Sequence, residues 1–382
     1  MREKNTLFSA AVILLVLCSP VFAYQQVIDL GALSGYQCSR AQSINDNGQI
    51  VGYVYKSNYP FYHRACLFDS TGGGANTNLG TLGGSQSNAY SINNNGKIVG
   101  QAQEGPPFDN VYYACLFDST GGGSNESIGG SIASCINNNG YIAGQTYVGL
   151  VGHACLWYQT SYGISVYDLG TLGGAKSYAY SINNSIKVVG WAEPDLSSLP
   201  IGQPFYYHAC LFDTPHGTHN IDLGTLGGDY SIAYSINDSG LIVGRADYRT
   251  DYTPSLQSYY HACIFDASGD GDNIDLGTLG GLASAALFAN NENQIVGSAY
   301  DSSGNLKACL FDSTGHGNNV DLNTLIDPSS GWILKEADCI NNNGWIVGYG
   351  TYNGIEQAFL LTPEPASALL LVIGAALLRR KK

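Results

Sequence analysis

Between residues 28 and 361 the chain repeats one pattern of apolar and polar positions seven times. Its clearest piece is Ser43-Ile-Asn-Asp-Asn-Gly-Gln-Ile-Val-Gly52. It returns as Ser91–Gly100, Cys135–Gly144, Ser181–Gly190, Ser235–Gly244, Phe288–Gly297 and Cys339–Gly348. Two apolar runs around an Asn/Gly turn predict a β-hairpin. The adjacent Ile and Val predict a second strand covered on both faces. A variable loop follows, then Ala-Cys-Leu-Phe-Asp or a relative, at Ala65–Asp69, Ala114–Asp118, Ala154–Trp157, Ala209–Asp213, Ala262–Asp266, Ala308–Asp312 and Ala358–Leu361. A Gly/Asn/Ser turn leads to Asp-Leu-Gly-Thr-Leu-Gly-Gly at 168–174, 222–228 and 275–281. Altered copies stand at 29–35, 78–84 and 321–325, and the third repeat keeps only Ile128-Gly129-Gly130.

The closing glycines of the hairpins lie 48, 44, 46, 54, 53 and 51 residues apart. A period near 50 residues marks a repeat architecture. Four strands in each of seven units predict an all-β, seven-bladed β-propeller of four-stranded blades. A linear β-solenoid is the alternative, but its coils are normally shorter than this period. The chain opens on a fourth-strand element, Val27-Ile-Asp-Leu, and closes on a third-strand element, Ala358-Phe-Leu-Leu. The N-terminal strand should therefore complete the last blade and protect its edge. Ala41, Ala89, Ala133, Ala179, Ala233, Ala286 and Ala337 share one column of the first strand, which predicts crowding near the axis.

Together, Leu-Gly-Thr-Leu-Gly-Gly, Ile-Asn-x-x-Gly-x-Ile-Val-Gly and His-Ala-x-Leu-Phe resemble the HAF family of extracellular repeats over about 28–361. The namesake Phe is Cys in six units and survives only as Phe359. The resemblance implies secretion and a propeller-like body, and brings no catalytic residue.

Both ends read as targeting segments. Arg2 and Lys4 precede the apolar run Leu7–Leu17, which ends in Val21-Phe22-Ala23. This is the layout of a secretory signal peptide over 1–23, with cleavage between Ala23 and Tyr24. Cys18 raises a lipoprotein alternative, but Leu-Val-Leu before it lacks the small residue such a site needs. At the other end, 362–382, Pro363, Glu364 and Pro365 precede the 13 residues from Ala366 to Leu378, then Arg379, Arg380 and two lysines. That apolar stretch is shorter than the about 20 residues of a stable span. The layout resembles the PEP-CTERM sorting signal. The resemblance implies recognition by an exosortase-type processing enzyme and removal of the tail. It further implies delivery to the surface or extracellular matrix of a Gram-negative-type bacterium. A plain tail anchor is the other reading. Short hydrophobic helices are expected at both termini, with transient membrane contact through the C-terminal one.

Composition fits this picture. One Met, 27 Tyr and 49 Gly favour strands and turns over helices. The two end segments hold six of the 16 basic and two of the 30 acidic residues, so the body carries a net charge of −18. Such a body repels phosphate backbones, which excludes nucleic acid as a partner.

Nine cysteines follow the leader. Cys66, Cys115, Cys155, Cys210, Cys263 and Cys309 share a column, and Cys135 and Cys339 share another. Equivalent positions on neighbouring blades lie roughly 10 Å apart, and a disulfide needs Cα atoms within about 7 Å, so the thiols are expected to be free. His153, His208 and His261 fall on separate blades, which suits polar contacts better than a metal centre. No metal site is assigned and no cofactor is expected. Asp266, Asp270, Asp272 and Asp275 have oxygen ligands at a spacing that admits Ca²⁺, with an Asx turn as the plainer reading. No hydrolase elbow, zinc-protease or phosphate-loop motif is present. Lys335, Glu336 and Asp338 break the repeat on the last blade and should meet Arg40 at the closure seam. There they would form an ion-pair patch, or an acid–base pair in the channel.

The strongest positive signal is aromatic. The second-to-third-strand connections carry Tyr53, Tyr55, Tyr59, Phe61 and Tyr62; Tyr112 and Tyr113; Phe205, Tyr206 and Tyr207; and Tyr248, Tyr252, Tyr259 and Tyr260. Variable loops on a rigid scaffold are where binding resides, and Tyr offers a flat face with a hydroxyl that suits sugar rings. Tyr59, Tyr62, Tyr112, Tyr113, Tyr206, Tyr207, Tyr259 and Tyr260 are the candidate ligand residues. The expected function is an exported surface or matrix binding module for polysaccharide or a surface protein. A glycan-cleaving propeller and a purely structural matrix protein are the alternatives.

Overall fold

The computed structural model describes residues 24–57, 62–105, 111–195, 197, 206–214, 219–248 and 259–363. They form seven four-stranded antiparallel sheets arranged as the blades of a propeller. Blade one comprises Cys38–Ile44, Ile50–Tyr55, His63–Phe68 and Thr77–Gly80, in that spatial order. Five more blades repeat this order. In blade seven, Trp332–Ile340, Ile346–Tyr352 and Ile355–Pro363 are followed outward by Tyr24–Asp29. The closing register pairs Val27 with Leu361, Ile28 with Leu360 and Asp29 with Phe359. The last strand runs two residues beyond the expected boundary, and Pro363 belongs to it rather than to the tail.

The rest of both expected targeting segments, including Ala23, Glu364, Pro365, Arg379, Arg380 and the terminal helices, lies outside the described residues. Two short 3-10 turns, Leu322–Leu325 and Pro328–Ser330, lead into blade seven. No helix among the described residues is long and apolar enough to cross a membrane.

Seven apolar clusters hold the ring together, each spanning two adjacent blades. The Ile-Val pair explains how one strand serves two of them. Ile50 packs toward blade seven and Val51 toward blade two, and both are fully buried. The column cysteines sit in these interfaces as small apolar residues, and all nine described cysteines are free. Burial pushes the Cys115 thiol up to about 12.

The Ala column also belongs to the interfaces, not to the axis: every member is fully buried between blades. The following residue is the one that reaches the channel. In all seven first strands the register skips the residue after Ala, a β-bulge. The closing glycines make this possible. A Cβ on Gly52, Gly100, Gly144, Gly190, Gly244, Gly297 or Gly348 would stand 1.8–2.0 Å from the carbonyl oxygen two residues before the bulged residue.

Asparagine rings one end of the channel. Asn45 donates through Nδ2 to the Asn93 carbonyl. The same bond runs on through Asn137, Asn183, Asn237, Asn290 and Asn341 and back to Asn45, seven bonds of 2.8–3.0 Å. A second closed ring links the amide of each next residue to the side-chain oxygen of its neighbour, through Asp46, Asn94, Asn138, Asn184, Asp238, Asn291 and Asn342.

Candidate functional site

The order Arg40, Gln42, Asn45 along the first strand of blade one sets depth in the channel. Above the asparagine rings, the seven bulged residues Gln42, Tyr90, Ser134, Tyr180, Tyr234, Leu287 and Asp338 face a chamber of about 350 Å³. Tyr178 also lines it, and its hydroxyl accepts a hydrogen bond from Ser134 Oγ at 2.9 Å. The rings form a continuous wall. Tyr178 and Tyr180 lie 4.5 Å apart between centroids, and Tyr180 meets Tyr234 edge-on at 5.2 Å. Burial raises the pKa of Tyr90, Tyr178 and Tyr234, so their hydroxyls stay protonated.

Tyr234 and Leu287 are shared with a second cavity of about 270 Å³, lined also by Arg245, Tyr260, Ser298, Tyr300 and Glu336. The Arg245 guanidinium stands 4.3 Å from the Tyr260 centroid and 5.8 Å from that of Tyr234.

The closure seam forms the acidic side. Arg40 does meet the break in the repeat, but its ion-pair partner is Glu356, with Nε 2.6 Å from Oε1. Glu356 also takes a hydrogen bond from the Tyr55 hydroxyl. The Arg40 guanidinium lies 3.8 Å from the Tyr349 ring centroid. Asp338 accepts from Gln42 Nε2 at 2.9 Å through Oδ1, while its buried Oδ2 has no partner. Burial, and then the nearby Glu336, push the Asp338 carboxyl well above the usual range. Glu336 accepts from Ser298 Oγ at 3.0 Å and is also raised by burial. Glu336 and Asp338 line two adjoining cavities rather than one pocket. Sequence had not singled out Glu356.

The loop tyrosines divide. Tyr59 lies outside the described residues. Tyr260 and Tyr207 are brought to Arg245. Tyr207 also packs on Trp191 and Tyr230, at 5.2 and 4.8 Å. Tyr206 stands 6.2 Å from Tyr230, and Tyr259 stands 6.2 Å from Tyr248. Both are half-buried and held against a neighbour, not presented at a loop tip. Tyr62, Tyr112 and Tyr113 are half-buried around the start of their third strands. The channel tyrosines Tyr90, Tyr178, Tyr180 and Tyr234 were missed, because they read as repeat core.

The histidine column is a set of staples. His153, His208 and His261 bond Asp168, Asp222 and Asp275 of the neighbouring fourth strand at 2.8–3.0 Å. The Asp266 carboxylate, considered for Ca²⁺, is taken up by its own turn, receiving Ser268 N and Oγ. No group of three or more His, Cys, Asp or Glu among the described residues is arranged to hold a metal.

Residues 27–110 match a family model described as a protein of unknown function, DUF3466. They cover the second half of the closing strand, all of blade one and the first two strands of blade two. No curated protein matches the chain.

Proposed function

We propose that this propeller is an exported binding module of the cell surface or extracellular matrix that holds a polysaccharide segment in its channel. The observation that carries the reading is the wall of Tyr178, Tyr180 and Tyr234 facing a chamber of about 350 Å³. Flat faces edged by protonated hydroxyls fit sugar rings. Burial favours the protonated form of the Asp338 carboxyl, which in that form adds a hydrogen-bond donor for a sugar hydroxyl. Export, processing by an exosortase-type enzyme and transient membrane contact belong to the same proposal and rest on the two end segments. In the alternative of glycan cleavage, Glu336 and Asp338 would be the acid pair. Its support is that burial raises both carboxyls, although hydrolysis wants one of the two ionised.

The test is affinity chromatography and calorimetry of residues 24–363 against a panel of oligosaccharides. Binding should be found, and Tyr180→Ala and Tyr234→Ala should each weaken it by roughly two- to tenfold. Unchanged binding in the folded variants, or none by the parent protein, overturns the reading. Release of reducing ends from a bound glycan would move the assignment to the hydrolase.

A further inference from the structure

Two arginines among the described residues lie over tyrosine rings, and they differ in one respect. Arg40 lies over Tyr349 and also has a carboxylate, Glu356, at 2.6 Å. Arg245 lies over Tyr260, with Tyr234 beside it and the Tyr207 hydroxyl as a polar neighbour. Among the described residues no carboxylate pairs with it. Arg245 instead lines the cavity of about 270 Å³.

The nearest acids do not fill the role. Asp247 lies two residues along the same strand and forms no ion pair with Arg245; burial pushes its carboxyl up to about 6, outweighing the lowering by the Arg245 charge. Glu336 stands in the cavity wall, engaged by Ser298 and raised by burial. A half-buried guanidinium with free donors is strongly matched by a planar carboxylate, which it takes through two parallel hydrogen bonds.

We propose that this cavity is a subsite for one carboxylate-bearing sugar ring, a uronic acid unit. Arg245 takes the carboxylate, and Tyr260 and Tyr234 flank the ring. That the ring belongs to a polymer rests on the function proposed above. The cavity is smaller than the about 300–1,000 Å³ of pockets for drug-sized ligands, so it takes a single ring. Tyr234 and Leu287, shared with the chamber, let neighbouring neutral rings continue into the channel. The acidic body repels a dense polyanion over several ångströms, so the fitting glycan carries its carboxylates singly, between neutral units.

The test is titration of residues 24–363 with sodium glucuronate and with methyl glucoside, following the Arg245 guanidinium by NMR and affinity by calorimetry. Glucuronate should shift the Arg245 resonance and bind roughly tenfold tighter or better, about 1.4 kcal/mol per factor of ten. Arg245→Gln should level the two sugars, and Arg245→Lys should keep part of the preference. Equal affinities in the parent protein, or an unchanged preference in Arg245→Gln, overturn the subsite. The resonance shift decides the matter in the parent protein even if a variant fails to fold. Neutral oligosaccharides binding without any glucuronate preference sink the subsite and leave the polysaccharide reading intact. Glucuronate bound at Arg245 with no oligosaccharide held does the reverse.

Discussion

Single side chains carry unusual weight here because each is repeated around a ring. Asn137 shows the economy of the device. Its Oδ1 accepts the amides of Asn139 and Tyr141, fixing its own turn, while Nδ2 reaches the Asn183 carbonyl of the next blade. Aspartate could do only the first, because it has no donor when ionised. Asp338 is the opposite case, a residue that strains its setting. Burial pushes its carboxyl well above the usual carboxylate range, and Oδ2 has no partner. A raised folded pKa means that the fold binds the proton more tightly than the unfolded chain. The stability associated with that proton is therefore complete below the ordinary carboxylate value of about 3.9 and is lost as pH rises through the folded value. Asp338→Asn should melt above the parent protein at pH 7, and the gap should close toward pH 4. Scanning calorimetry across that range checks this, and a gap independent of pH would contradict it.

At the scale of the element, the bulged hairpin is what turns a repeat into a site. Gly190 lies opposite the Tyr178 carbonyl, and a Cβ there would stand 1.8 Å from that oxygen. Gly190→Ala should force the bulge open, cost about 1–3 kcal/mol in urea unfolding and weaken oligosaccharide binding by moving Tyr178 and Tyr180. Full stability with intact binding would show that the bulge does not depend on the glycine. The same geometry explains what sequence revealed and what it hid. Strand number, hairpin turns and ring closure were legible because Asn-Gly turns and Ile-Val pairs are local signals. The offset between Val27–Leu30 and Ala358–Leu361 could simply be counted. The channel lining was hidden because Tyr90, Tyr180 and Tyr234 stand in a column of the repeat itself, and the skipped register that turns this column inward leaves no local mark in the sequence. Alternation also gave no reason to separate Ala179 from the axis. Arg40 and the acids of blade seven were rightly placed at the seam. Glu356 went unnoticed because its partner is 316 residues away in sequence.

For the whole molecule, the decisive property is closure. Each apolar cluster joins two neighbouring blades, so an open array would leave one face of each end blade uncovered. Directly after the closing strand comes Leu30, which is 1% exposed and donates its backbone N–H to the Ala358 carbonyl. Deleting residues 24–31 should therefore expose a sheet edge and lower stability steeply, with aggregation on warming. Tryptophan emission and far-UV circular dichroism, which should report one coincident transition in the parent protein, should separate in the deletion. Identical melting of the two would mean that the ring is held by something else. Closure also fixes how the body is carried. The third strand of blade seven starts at Ile355 on the side of the loops and ends at Pro363 on the side of the asparagine rings. Tyr24 pairs with Pro363 at that same end. A chain continuing past Pro363 therefore leaves from the side of the asparagine rings, opposite the variable loops. Held by such a tail, as proposed above, the propeller would stand like a cup on its stem, with its loop side turned outward.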